Sequence, residues 1–184
     1  LEGPLHTADE KLNHLSADSG VTSVGISAVF SPLTAECEER AADILREKCS
    51  DIAITLSHDL GRLGLLEREN VTLLNAALLG LATTTTAAFV RALAECGIEA
   101  PLYITQNDGT IVQAEYAAKF PIYSFSSGST NSMRGAAFLS ALDHAIVVDV
   151  GGTTTDIGCL RRGFPREANN VVSVGGVRTN FRMP

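Results

Sequence analysis

The sequence predicts an α/β protein, and three observations carry that prediction. Residues 21–30 (VTSVGISAVF) and 51–56 (DIAITL) are short, β-branched and apolar, which is how strands read. Between them, residues 35–49 set Ala41, Ile44 and Leu45 against Glu38, Glu39, Arg40 and Arg46, the spacing of an amphipathic helix. Strand, helix and strand make a βαβ unit, with parallel pairing and a right-handed crossover. Near the other end the period changes. An apolar run at 145–150 (AIVVDV), a Gly151-Gly152 turn and a returning run at 154–160 predict antiparallel strands.

The remaining elements follow in order. Residues 1–20 show no period and read as an opening segment. Ser31-Pro32-Leu33-Thr34 breaks the first strand and offers Thr34 as helix N-cap. Ser57-His58-Asp59 ends the second strand, and Gly61 and Gly64 mark a loop. Residues 67–95 form a long helical run, with a break expected near Gly80. Gly97 is suited to the C-cap, with Pro101 beyond it. The uncharged stretch 71–90 contains Asn75, Gly80 and four consecutive threonines from Thr83 to Thr86. That polar content favours a buried helix over a membrane span. Residues 102–105 and 111–114 flank Gln106-Asn107-Asp108-Gly109, whose Asp-Gly pair signals a hairpin. A hydroxyl-rich loop at 124–132 is expected to precede a helix at 133–142. A turn at Gly163, Phe164 and Pro165 leads to a third strand at 171–174.

Over 184 residues the chain is 45% hydrophobic and 19% charged, a globular composition long enough to bury a core. Its formal charge of −7 argues against nucleic acid or an anionic membrane as partner. It leaves nucleotide binding open, because backbone amides and a metal supply local positive field. Cys37, Cys49, Cys96 and Cys159 show no CxxC spacing. They read as reduced core thiols of a cytoplasmic protein rather than as zinc ligands.

The chemistry concentrates in Asp149-Val150-Gly151-Gly152-Thr153-Thr154-Thr155-Asp156. A strand ending in an acid and turning through two glycines lets backbone N–H groups approach an anion with no Cβ in the way. Converging amides form an anion nest, to which threonine hydroxyls add donors. Asp149 beside the nest can orient a water or hold hydrated Mg²⁺. Positioning and charge stabilisation are what phosphoryl transfer requires. The alternative is an ordinary hairpin whose Gly-Gly only serves the turn. The loop is neither a Walker loop nor a GxGxxG opening a helix.

With this loop, the segments SAVFSPLTAECEERAADIL, SHDLGRLGLLERENVTLLNAALL, PLYITQNDGT, NSMRGAAFLSAL, AIVVDVGGTTTDIG and GVRTNFRMP give a chain that resembles the hydantoinase/oxoprolinase family. That family lies in the actin-like ATPase superfamily of sugar kinases, chaperones and actin. The resemblance implies a ribonuclease H-like fold. Residues 21–142 would form the later part of the first lobe, and 143–184 the three-stranded antiparallel start of the second. It implies ATP and Mg²⁺ as cofactors. It also implies an ATP-dependent hydrolase that opens a cyclic amide, of hydantoin or 5-oxoproline type, by phosphorylating the amide oxygen. Asp149 would be catalytic and would hold the metal through water, Gly151, Gly152, Thr153 and Thr154 would bind phosphate, and Asp156, part of the same cofactor loop, would support the turn or the metal. Family members use two phosphate loops. The first, expected before Leu1, and a Gly-rich adenosine motif, expected after Pro184, are not in this sequence, so a central fragment that is inactive alone is expected. Gly128-Ser129-Thr130 stands where the family pattern has Gly-Pro-Thr.

Weaker candidates surround this core. His58 and Asp59 follow a parallel strand, where open α/β sheets place ligands; they read as substrate contacts or as a solvated His paired with its neighbour. Asn131 and Arg134 match family positions and read as substrate contacts or surface residues. Ser127, Gly128, Ser129 and Thr130 suit an N-cap cluster better than an anion site. Glu36, Glu38 and Glu39 read as a solvated helix face, and Asn107-Asp108 as turn chemistry. The expected partners are a small cyclic amide, the rest of the polypeptide or a partner subunit, and a second copy in a homo-oligomer. Other superfamily activities, or a non-catalytic interaction domain, are the competing readings.

Overall fold

Two parallel strands and a helix laid across them organise the first part of the molecule. The computed structural model describes residues 20–60, 63–167 and 172–180. Nearly all of the opening segment, Gly61 of the expected loop and Val171 of the expected third strand lie outside the described residues. Strand β1 (Ser23–Ile26) leads to helix α1 (Glu36–Lys48), strand β2 (Ala53–Leu56) and a single turn, α2 (Ser57–Leu60). Helix α3 (Leu65–Glu95) follows. β1 and β2 pair in parallel, Ser23 opposite Ala53 and Ile26 opposite Leu56, as the βαβ reading requires. The chain is a mixed α/β protein with two compact units, Leu1–Gly80 and Leu81–Pro184.

In the first unit α3 buries Arg68, Val71, Thr72, Asn75, Ala76 and Leu79, which recur at helical spacing along one stripe. The approach to the sheet is close. A Cβ on Gly25 in β1 would lie 3.1 Å from the Thr72 methyl. Asn75 Nδ2 donates to Thr55 Oγ1 at 3.1 Å, satisfying two buried polar groups at once. No break occurs at Gly80, because an isolated helix glycine costs about 1 kcal/mol but keeps its backbone hydrogen bonds. The buried-helix reading of 71–90 holds only through Leu79, since Leu81, Phe89 and Val90 are exposed. By length and composition α3 is also apolar enough to cross a membrane. It ends in a Schellman motif: the Ile98 N–H donates to Leu93 O and Gly97 N–H to Ala94 O, with Gly97 at φ +70°. The N-cap of α1 is Ala35 rather than Thr34, and it makes no side-chain cap bond. Thr34 is already committed to a turn in which its N–H donates to Phe30 O.

The second unit begins with β3 (Tyr103–Thr105) and β4 (Ile111–Gln113), paired antiparallel. Their turn closes through Gly109 at φ +84°, the conformation that favours glycine there. Helix α4 (Ala114–Lys119) and a 3₁₀ turn (Pro121–Tyr123) follow, then α5 (Ser127–Ser140). α5 starts six residues before the expected Met133, so the hydroxyl-rich loop is mostly helix. Buried Asn107 is the reason. Its Oδ1 accepts from Ser126 N–H (3.0 Å), its carbonyl from Thr130 Oγ1 (2.7 Å), and its Nδ2 donates to Ile122 O (2.9 Å). Those bonds pin the first turn of α5. Only Asp108 does ordinary turn work, accepting from Thr110.

β5 (His144–Val150), β6 (Thr155–Arg161) and β7 (Phe164–Pro165) form one antiparallel sheet. Its third strand is β7, reached through a two-residue turn with positive φ at Arg162 and Gly163. The expected third strand instead pairs separately, as β8 (Val172–Val174) with β9 (Val177–Thr179). α5 covers one face of the sheet so tightly that a Cβ on Gly158 would lie 2.1 Å from Met133 Sδ. The opposite face carries Ile146, Val148, Val150 and Ile157, all exposed. Of the cysteines, Cys37, Cys96 and Cys159 are also exposed rather than in the core.

Candidate functional site

Seven residues of β5 pair in register with seven of β6, ending with Asp149 opposite Asp156 and Val150 opposite Thr155. Residues 151–154 close the turn, with the Gly151 N–H donating to Thr154 O at 2.9 Å. Asp149 and Asp156 are paired across the ladder beside the turn, and cross-strand partners share a face. Like charges in that position destabilise a bare sheet; a cation with hard oxygen ligands would relieve them. They lie on the α5-covered face, with Val147 and Gly158.

The four turn residues are exposed. Gly152 has no heavy atom within 4 Å of where a Cβ would lie, and Gly151 meets only Thr154 O, at 3.3 Å. Neither glycine adopts positive φ, so handedness does not require glycine here. Open space over the backbone is what the pair provides, and a phosphate cradle needs that space. Thr153 and Thr154 offer their hydroxyls at the same tip. The residues present therefore fit a phosphate group with a hydrated divalent cation.

Arg134 is engaged elsewhere. It donates to Gly163 O, and its guanidinium carbon stacks 4.1 Å from the centre of the Phe164 ring. That is the opposite end of the β5–β6 ladder, six residue steps or about 20 Å from the loop. Asn131 is exposed on α5. His58 and Asp59 belong to the first unit.

There the structure joins residues that sequence reasoning kept apart. Glu38, expected on a solvated face, is completely buried. Its Oε1 accepts from Ala28 N–H at 2.8 Å and from Ser57 Oγ. Its Oε2 accepts from His58 N–H at 3.0 Å and lies 2.9 Å from His58 Nδ1. Burial raises the carboxyl pKa, but bonds from Ser57, the His58 backbone, Ser31 and the His58 ring outweigh it, lowering it from 4.5 to about 2. Ser57 Oγ also accepts from buried Arg68 Nε at 2.9 Å, and Arg68 donates on to Ala28 O at 2.6 Å. The signal was in the spacing: Glu38 precedes Ala42 and Leu45 by four and seven residues, on the stripe that α1 buries.

Residues 68–183 match the family model described as Hydantoinase/oxoprolinase. The chain belongs to the hydantoinase/oxoprolinase family. The match includes the Asp149–Asp156 hairpin and Arg68, and begins after Glu38 and His58. Among solved structures, the family member is similar to nucleotide-free acetone carboxylase, from work on ATP-dependent acetone carboxylation. That likeness has a TM-score of 0.80 at 20% identity and covers 98% of this chain. It is also similar to an ATP-dependent caprolactamase from Pseudomonas jessenii, with a TM-score of 0.66 at 21% identity over 84% of this chain. Both likenesses concern the fold. The chain spans 26% and 22% of those two proteins. No curated protein sequence matches it.

Proposed function

We propose that this chain carries one phosphate-binding loop of an ATP-dependent hydrolase that opens a cyclic amide of hydantoin or 5-oxoproline type. The observation that carries the reading is the hairpin mouth, where two facing carboxylates adjoin a glycine turn whose backbone is open to an anion. Family membership and the ATP-dependent proteins of similar fold support it. The Gly152 amide with the Thr153 and Thr154 hydroxyls binds and orients phosphate oxygens, while Gly151, whose N–H closes the turn onto Thr154 O, adds no side chain to the approach. Asp149, with its cross-strand partner Asp156, would hold hydrated Mg²⁺, which would neutralise phosphate charge. ATP supplies the phosphoryl group that activates the amide oxygen toward water. Fixed donors aimed at developing charge are the largest contribution a protein makes to such chemistry.

In this reading the fold is ribonuclease H-like, with 21–142 in the first actin-like lobe and 143–184 opening the second. The complementary loop comes from the rest of the polypeptide or a partner subunit, in a cytoplasmic homo-oligomer. The exposed apolar face of β5–β6 supports such association. The test is a protein spanning the length of the structural relatives, supplied with ATP, Mg²⁺ and hydantoin or 5-oxoproline. Phosphate release matched one-to-one by ring-opened product is expected, with no turnover by the 184-residue chain alone. ATP consumption driven by a sugar and not by either amide would overturn the reading.

A further inference from the structure

The C-terminal rim of the parallel β1–β2 pair carries polar residues on both strands. Ile26 pairs with Leu56, so Ser27 and Ser57 are the next residues out on the two strands. Ser27 Oγ is buried with no hydrogen-bond partner, which a native structure rarely tolerates without a ligand or water. His58 follows Ser57, with its side chain 19% exposed and its Nε2 3.6 Å from Asp59 Oδ1. That separation is too long for a hydrogen bond, so Nε2 is not committed to Asp59.

Glu38 decides which ring nitrogen works. Its two oxygens already accept from Ala28 N–H, Ser57 Oγ and His58 N–H, and its lowered pKa keeps it an acceptor with no proton to give. Nδ1, at 2.9 Å from Oε2, must then be the protonated nitrogen, because two acceptors facing each other would repel. A buried carboxylate holding Nδ1–H fixes the ring and leaves the Nε2 lone pair outward. The orienting acid of a catalytic histidine does the same.

We propose that His58 Nε2, oriented by Glu38, is a proton-accepting site at this rim for water or a neutral ligand bearing O–H or N–H. Asp59 beside Nε2 and Glu38 behind it disfavour an anion, so the site differs in kind from the phosphate loop and stands independently of it. Glu38 is a positioning residue, acting through His58.

The tautomer tests the proposal on the full chain. In two-bond ¹H–¹⁵N spectra in mildly alkaline buffer, the signals lost in His58→Gln identify His58 among the four histidines. A protonated Nδ1 and an unprotonated Nε2 are expected, together with carbethoxylation of His58 by diethyl pyrocarbonate, read by mass spectrometry. In Glu38→Gln the tautomer preference is expected to be lost. Wild-type protein carrying its proton on Nε2, or a His58 inert to the reagent, would overturn the proposal. The wild-type spectrum decides even if Glu38→Gln fails to fold.

Discussion

Buried Glu38 gives the first unit a predictable acid sensitivity. Four donors converge on its two oxygens, about as many as a carboxylate has lone-pair directions. Its pKa falls from 4.5 to about 2, a drop of about 2.5 units, and at about 1.4 kcal/mol per unit this contributes about 3 kcal/mol. A depressed carboxyl pKa stabilises the fold fully above the unfolded value near 4.5 and loses that contribution as pH falls through about 2. Urea unfolding of the full chain at a series of pH values measures it, against Glu38→Gln as control. Wild type should lose about 3 kcal/mol more than the variant across that window. At neutral pH the variant should be less stable by about 3–5 kcal/mol, because an amide donor would face four other donors. Equal pH slopes in the two proteins, or a variant as stable as wild type at neutral pH, would refute the reasoning.

Other outcomes follow from the second unit and the loop. Gly158→Ala should cost about 1–3 kcal/mol in urea unfolding, because its Cβ meets Met133 Sδ; Met133→Ala in the same chain should recover part of that loss. Asn107→Ala should destabilise the protein by more than about 1 kcal/mol, since it strips partners from Ser126 N–H and Ile122 O. In the assembled enzyme, Asp149→Asn should lower kcat by about 10²- to 10⁴-fold with little change in KM, measured by phosphate release.

The parts of the fold fixed by local pattern were legible in the sequence. The parallel pair, the long helix, the Asp-Gly hairpin and the β5–β6 ladder each carry their own period or turn chemistry. Long-range hydrogen bonds were not legible. Nothing near Ser127 shows that Asn107, some 20 residues earlier, holds the start of α5. Nothing in 171–174 shows that a two-residue turn at Arg162 and Gly163 has already supplied the sheet with its third strand. The glycine loop could be read because its chemistry is contiguous. The Glu38–His58 pair is hidden in the sequence because a charged residue on a helix usually faces solvent, although Glu38 sits on the buried stripe of α1. The place of His58 after a strand is visible, but its partner lies 20 residues away.

Nucleotide affinity of Gly152→Val tests the central claim most directly. Gly152 lies outside the left-handed region and has open space at its Cβ position, so valine should leave the hairpin folded and occupy the place a phosphate would take. By calorimetry on the assembled enzyme, ATP affinity should fall at least tenfold, about 1.4 kcal/mol, with the unfolding midpoint unchanged. Unaltered ATP affinity in a folded Gly152→Val protein would show that the loop is an ordinary hairpin and contradict the account.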